Sequence, residues 1–126
     1  MAGSLTNYGE NLALATLFTN STTYLALMTA NPGEAGATGS EIVGNGYARQ
    51  AVPWSTSTGQ ITNSAVVLFS SNAAWNSGNP IGYWAVFDAP TGGSMLAYGD
   101  LSPAGTVASS DRGIAVAIGQ LTINAD

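Results

Sequence analysis

Apolar residues recur along the chain at two spacings, and the change from one to the other falls near Asn20. Residues 5–18, L-T-N-Y-G-E-N-L-A-L-A-T-L-F, place Tyr8, Leu12 and Ala15, joined by Leu14, Leu17 and Phe18, at the i, i+3, i+4 spacing of one helix face. With Asn7 as N-cap and Glu10 three residues on, a capping box and the helix dipole both favour initiation there. The spacing therefore predicts one helix over about 6–18 that lays a side on a sheet. Thr19-Asn20-Ser21 ends it, and the period then drops to two.

Thr22–Thr29 reads as a strand, with Tyr24, Ala26 and Met28 alternating against Leu25 and Leu27. The Gly and Pro density of Asn31–Ser40 marks a mobile loop or arm, and its reach over 30–40 suits a contact with a neighbouring subunit, although an ordinary surface loop is the commoner outcome for such a stretch. In Glu41–Val52, two short apolar runs flank Gly44-Asn45-Gly46, which predicts a hairpin with Glu41–Val43 and Tyr47–Val52 as its arms. Alternation along the second arm puts Tyr47, Arg49 and Ala51 on one face, so Arg49 stands beside an aromatic ring. Pro53-Trp54 closes the arm and Ser55–Gln60 reads as a polar turn. Ile61–Phe69 carries the longest β-branched run and predicts a central strand.

Ser70–Pro80 is a loop whose Trp75 needs a buried place, and Ile81–Asp88 is a second central strand. Pro90-Thr91-Gly92-Gly93 turns the chain into Met95–Leu101, a second hairpin. Ser102–Gly113 reads as loop. Beyond it Ile114, Val116 and Ile118, then Leu121 and Ile123, keep a two-residue period that Gly119 interrupts, giving one bent strand or two short ones. The pattern predicts a single mainly β domain over 1–126, an antiparallel β-sandwich or jelly-roll-like fold with one N-terminal α-helix.

Composition narrows the chemistry. Among 126 residues there are seven carboxylates and two basic residues, Arg49 and Arg112, with no Cys and no His. Disulfides, Cys or His metal sites, and catalysis by imidazole, thiolate or lysine amine are excluded. A net charge of −5 without a basic stripe argues against nucleic acid as a partner. No apolar run approaches the roughly 18 residues of a membrane helix, so no membrane partner is expected. With 7% charged residues the chain lacks the charge density of a disordered one.

The carboxylates admit two further readings. Asp88 and Asp100 flank the second hairpin, and a pair across a cleft would suit glycoside hydrolysis, whereas Asp at strand ends more commonly accepts backbone N–H bonds. A calcium site from Asp88, Asp100 or Asp111 lacks the alternating spacing of a dedicated loop. Tyr83, Trp84 and Phe87 offer either a sugar-stacking face or core, and their place in the strongest strand favours core. Arg49 and Arg112 are each expected to pair with a carboxylate or to stack on a ring such as Tyr47. No catalytic constellation, cofactor site or metal site emerges. The lack of Lys leaves strand edges without their usual guard, so the edges are expected to be covered in an oligomer.

Six stretches taken together resemble a family of small tailed-bacteriophage virion proteins. They are L-T-N-Y-G-E-N (5–11), Y-L-A-L-M-T-A-N-P-G-E-A-G (24–36), G-N-G-Y-A-R-Q-A-V (44–52), N-S-A-V-V-L-F (63–69), I-G-Y-W-A-V-F-D-A-P-T-G-G (81–93) and L-A-Y-G-D-L (96–101). The most specific are G-x-G-Y-A-R-Q and F-D-A-P-T-G-G. Members are labelled tail fibre or minor tail proteins, and similar small β proteins serve as capsid decoration (cement) proteins. The resemblance implies a non-enzymatic structural protein of the virion, made in the host cytoplasm. The leading expectation is a homotrimeric decoration protein on the capsid exterior that bridges major capsid protein subunits. The alternative is a tail or tail-fibre component that recognises a host surface glycan. The expected contact residues are Asn31, Pro32, Glu34, Tyr47, Arg49, Trp75, Asp111 and Arg112, with the 30–40 and 102–113 loops carrying the bridge.

Overall fold

The computed structural model describes residues 3–57, 59–108 and 113–125. Among these residues one α-helix, α1 (Asn7–Phe18), precedes nine strands: β1 (Thr23–Met28), β2 (Gln50–Val52), β3 (Trp54–Ser57), β4 (Gln60–Asn63), β5 (Val67–Ser70), β6 (Ile81–Phe87), β7 (Met95–Gly105), β8 (Gly113–Val116) and β9 (Thr122–Asn124). All pairings are antiparallel. The strands make a four-stranded sheet in the order β2-β1-β6-β7, a three-stranded sheet β3-β4-β9 and a two-stranded ribbon β5-β8. The mainly β, one-helix antiparallel architecture is the one that the periodicity predicts.

The main core lies between the four-stranded sheet and a second layer formed by the helix, the three-stranded sheet and the ribbon. Leu25, Leu27, Trp84, Val86 and Leu101 from the first meet Leu14, Phe18, Ile61, Phe69 and Val116 from the second. The large sheet is also buried on its outer face, where Ala26, Met28, Ala85 and Phe87 form a smaller cluster with Tyr83, Met95 and Tyr98. Strict alternation along β1 and β6 therefore serves two cores, which is why these strands read as continuous apolar runs.

Several local expectations are corrected. Thr6, not Asn7, caps the helix: it is extended and its hydroxyl accepts from the Gly9 amide at 3.1 Å. The buried side of α1 is Leu14 and Phe18, while Tyr8 and Leu12 face outward, 77% and 55% exposed. Leucines occur on several sides of this helix, so spacing alone selects no face. Glu10 and Asn11 instead dock the β3–β4 turn, Asn11 accepting from the Gly59 amide at 2.8 Å.

The Ile61–Phe69 run is two strands in different sheets, and the corner is Asn63, 1% exposed. Its Oδ1 accepts from the Leu121 amide (2.9 Å), while its Nδ2 donates to the Ala117 (2.8 Å) and Ala65 (3.0 Å) carbonyls. The side chain supplies bonds that a continuing strand would have made, so the chain is free to change sheets. Trp54, expected to close an arm, and Ser55–Ser57, expected to open a polar turn, form strand β3, because Trp54 is buried against Phe18 and Thr23 and fixes the pairing with β4. The segment from Ser102 continues as strand to Gly105, and the C-terminal run divides into β8 and β9. Among the described residues, no helix is long and apolar enough to cross a membrane.

Candidate functional site

The predicted 41–52 hairpin does not form, and what replaces it is the most organised polar cluster in the molecule. Gly44, Asn45 and Gly46 do adopt positive φ (76°, 54° and 84°) as an Asn-Gly turn requires. The two flanks, however, pair with β1 and not with each other: Glu41 bridges Met28, and Gln50–Val52 pairs with Thr23–Leu25. The turn swings out to the 72–75 segment, where the Asn45 carbonyl accepts from the Asn72 amide (3.0 Å) and from Trp75 Nε1 (2.9 Å).

Between those flanks, Tyr47 fills the gap in the sheet. Its hydroxyl accepts from the Leu27 amide at 3.2 Å and donates to Glu41 Oε2 at 2.7 Å. The Leu27 carbonyl is served by the Ile42 amide at 3.1 Å. The Tyr47 ring lies parallel to Phe69 and edge-on to Trp75, with centroids 6.0 and 5.4 Å away. Burial first, and then the bond to Glu41, push the Tyr47 hydroxyl far above the usual phenol range, so it stays a donor.

Arg49 completes the cluster. Its Nε and Nη2 grip the Glu41 carboxylate at 2.8 and 2.9 Å, and its Nη1 donates to the carbonyls of Ala89 (3.0 Å) and Gly92 (2.8 Å). The guanidinium carbon lies 3.6 Å above the Phe87 ring. Both side chains are largely buried, Arg49 7% and Glu41 15% exposed. Burial opposes ionisation of Glu41, but the hydrogen bonds from Arg49 and Tyr47 and the Arg49 charge outweigh it, leaving the carboxyl below its ordinary value. The Glu41 bond holds the Arg49 charge correspondingly firmly.

The turn that Arg49 reads is F-D-A-P-T-G-G. There Asp88 Oδ1 accepts from the Ser94 amide at 2.8 Å, and Gly93 has φ of 72° at a place where a Cβ would run into the Asp88 carboxylate and Ala89. The two most specific motifs of the sequence are thus one interlocked object. With its donors and one face engaged inside the chain, Arg49 has little left for a ligand.

The other expected contact residues are placed as follows. The 31–41 segment is not a free arm but lies over the outer face of the large sheet: at its base the Ser40 carbonyl accepts from both the amide and the hydroxyl of Thr29, and Glu34 accepts from the Tyr98 hydroxyl at 2.5 Å. The Glu34 bond raises the Tyr98 hydroxyl above its ordinary value. Asn31 turns the segment by accepting from the Gly33 amide (2.8 Å), and Pro32 is buried. Trp75 is 1% exposed, in the core with Trp54 and Trp84, so none of the three rings forms a sugar-stacking platform. Asp111 and Arg112 lie outside the described residues. The six that are described do not make one surface.

An open groove of about 450 Å³ does run between Gly33–Glu34 and the outer strands β7 and β9. Asp88 and Asp100 are not brought together. Asp100 stands across from Tyr83, five residues down β6 from Asp88, which is roughly 16 Å at the rise of a strand. Paired glycosidase carboxyls are separated by about 5–9.5 Å. Among the described residues no three carboxylates converge where a metal ion would sit.

A family model described as podophage GP4 fiber I protein gp80 matches residues 4–124. No curated protein matches.

Proposed function

The chain belongs to the podophage GP4 fiber I protein gp80 family and is a bacteriophage structural protein of mainly β fold, and from that premise we propose that it is a non-enzymatic subunit of the fibre. The observation that carries the reading is the family match over nearly the whole chain. Two features support it. The polar cluster most resembling a site, Arg49–Glu41–Tyr47, spends its hydrogen bonds on the chain's own backbone and side chains. The carboxylates Asp88 and Asp100 stand too far apart to cut a glycoside together.

In this reading the protein acts by shape and contact, holding a rigid β module against its neighbours in the particle. Quantitative mass spectrometry of purified virions, with immunogold labelling of intact particles, tests the placement. A low copy number and label confined to the tail are expected. Copies in the hundreds with label over the head would move the protein to the capsid surface, as a decoration subunit bridging major capsid protein, and would overturn the fibre reading.

A further inference from the structure

Among the described residues, β7 and β9 are each paired on one side only: β7 ends the order β2-β1-β6-β7, and β9 ends the order β3-β4-β9. The open groove of about 450 Å³ lies where these two edge strands approach each other. Met95–Tyr98 form one wall and Thr122–Asn124 the other, with Gly33 and Glu34 at the rim. What the groove offers is therefore main chain. A free strand edge presents a row of N–H and C=O groups, and another strand about 4.8 Å away is what completes it.

The side chains around that edge divide into two kinds. Leu96, Ala97 and Ile123 are half-buried and pack against the main core, so the inner side of the groove is apolar. The outer side is acidic. Asp100 lies across from Tyr83 and, two residues from Tyr98, shares its face of β7; Tyr98 in turn donates to Glu34. Glu34 and Asp100 are exposed, and an ionised carboxylate accepts more bonds than the one that Tyr98 gives Glu34. No cation stands among the described residues that line the groove. The free stretch is short: Leu96 lies in a bulge, and at the far end Gln120 Nε2 already occupies the Ser102 carbonyl at 3.2 Å, with Pro103 next.

We infer that this groove takes a short extended segment of a different protein, added as a strand along β7, in which apolar residues alternate with Lys or Arg. The apolar positions fall on Leu96, Ala97 and Ile123, and the cations between them fall on the side of Glu34 and Asp100. Two cations two residues apart, about 7 Å along a strand, match the spacing of Tyr98, which holds Glu34, and Asp100. Charge also selects a foreign partner. The chain's two basic residues, Arg49 and Arg112, stand far apart in sequence, so no stretch of its own carries such a pair. Arg49 is besides held by Glu41, Ala89 and Gly92. A glycan finds no ring platform here, because the three Trp are in the core and Glu34 engages the Tyr98 hydroxyl.

The inference holds whether the protein sits on the tail or on the head. The test uses the purified full chain and the labelled peptide acetyl-Thr-Val-Lys-Val-Lys-Val-Thr-amide, with fluorescence anisotropy for affinity and hydrogen-exchange mass spectrometry for location. Saturable binding is expected, together with slowed amide exchange over residues 95–101, the mark of an added strand. Replacing both Lys of the peptide by Glu is expected to abolish binding. The double variant Glu34→Gln, Asp100→Asn changes two exposed side chains and is expected to weaken binding at least about threefold with far-UV circular dichroism unchanged. Absence of saturable binding up to about 1 mM peptide overturns the inference. So does binding that the double variant and the Glu peptide both leave unaltered, or binding that slows no exchange in β7. Maltoheptaose that protects the same strand where the peptide does not would overturn it in favour of a sugar site.

Discussion

Arg49→Met isolates what the polar cluster contributes, because methionine keeps much of the stem over Phe87 and removes the charge and all the N–H donors. Glu41 then retains only the Tyr47 hydroxyl, and the carbonyls of Ala89 and Gly92 lose the donor they shared. Breaking a buried ion pair from one side costs about 3–5 kcal/mol. Glu41 is 15% exposed and keeps one partner, which places the loss near the lower bound, about 3 kcal/mol. For a domain of this size that corresponds to a fall in Tm of roughly 10 °C. Urea unfolding followed by tryptophan fluorescence measures it, with an unchanged m-value as the sign that the folded state is still compact. A second substitution, Glu41→Gln, removes the stranded carboxylate and is expected to recover part of the loss.

The same variant carries a pH signature. The Glu41 carboxyl is depressed below its ordinary 4.5 in the folded chain, so its contribution is fully present above that value and is lost as pH falls through the folded one. Without Arg49, the burial that raises the Glu41 value loses its main opposition. The stability gap between wild type and Arg49→Met is therefore expected to be widest near neutrality and to narrow with acidification, first as the raised carboxyl of the variant is protonated and then as pH falls below the ordinary 4.5 through the depressed value of the wild type. A gap under about 1 kcal/mol at neutral pH, the worth of an ordinary surface pair, or one that does not change with acid, would refute the reasoning.

Three further substitutions probe the other joints. Tyr47→Phe leaves the ring stacked but strips the Leu27 amide of its acceptor and Glu41 of a donor; a loss of about 1–3 kcal/mol is expected, read by the same urea titration. Asn63→Ala orphans the buried Leu121 amide, takes the Asn63 donor from the Ala65 carbonyl and leaves the Ala117 carbonyl only the Gln120 amide, and is expected to cost about 3 kcal/mol and to speed proteolysis between residues 117 and 121. Gly99→Ala sets a methyl 2.6 Å from Cζ2 of the buried Trp84, so a red-shifted tryptophan emission and a loss of about 1–3 kcal/mol are expected.

The elements legible in the sequence were those whose pattern is long and locally decided. β1 and β6 announce themselves because each is apolar on both faces over six or seven residues, and the second hairpin because Gly92 and Gly93 both need positive φ. The first hairpin was misread for a tertiary reason. Gly44-Asn45-Gly46 makes the expected turn, but β1 offers both flanks a better edge than they offer each other, and only the fold reveals that edge. At Asn63 a signal was present: it shares the inward face with Ile61, and a polar residue on that face demands buried partners, here the C-terminal segment nearly sixty residues away. The polar cluster was half visible. Arg49 was expected beside an aromatic ring, but its ring is Phe87 and its carboxylate Glu41, and neither distance follows from spacing.

The interlock also bears on what the specific motifs can mean. Arg49 in the first motif is held by Phe87, Ala89 and Gly92 in the second, and together they fasten the base of the segment that covers the outer face of the large sheet. These residues are constrained by one another, so their presence marks the fold and says nothing about a ligand. A chain of this architecture that lacks Arg49 is expected to lack an ionised Glu41 as well, since either alone strands a buried charge. What the chain does toward its surroundings then falls to surfaces outside the lock. Residues 50–87 and 113–125, which carry no charge, make up most of the second layer, so contacts there gain specificity from shape, strand edges and apolar area, with little dependence on salt.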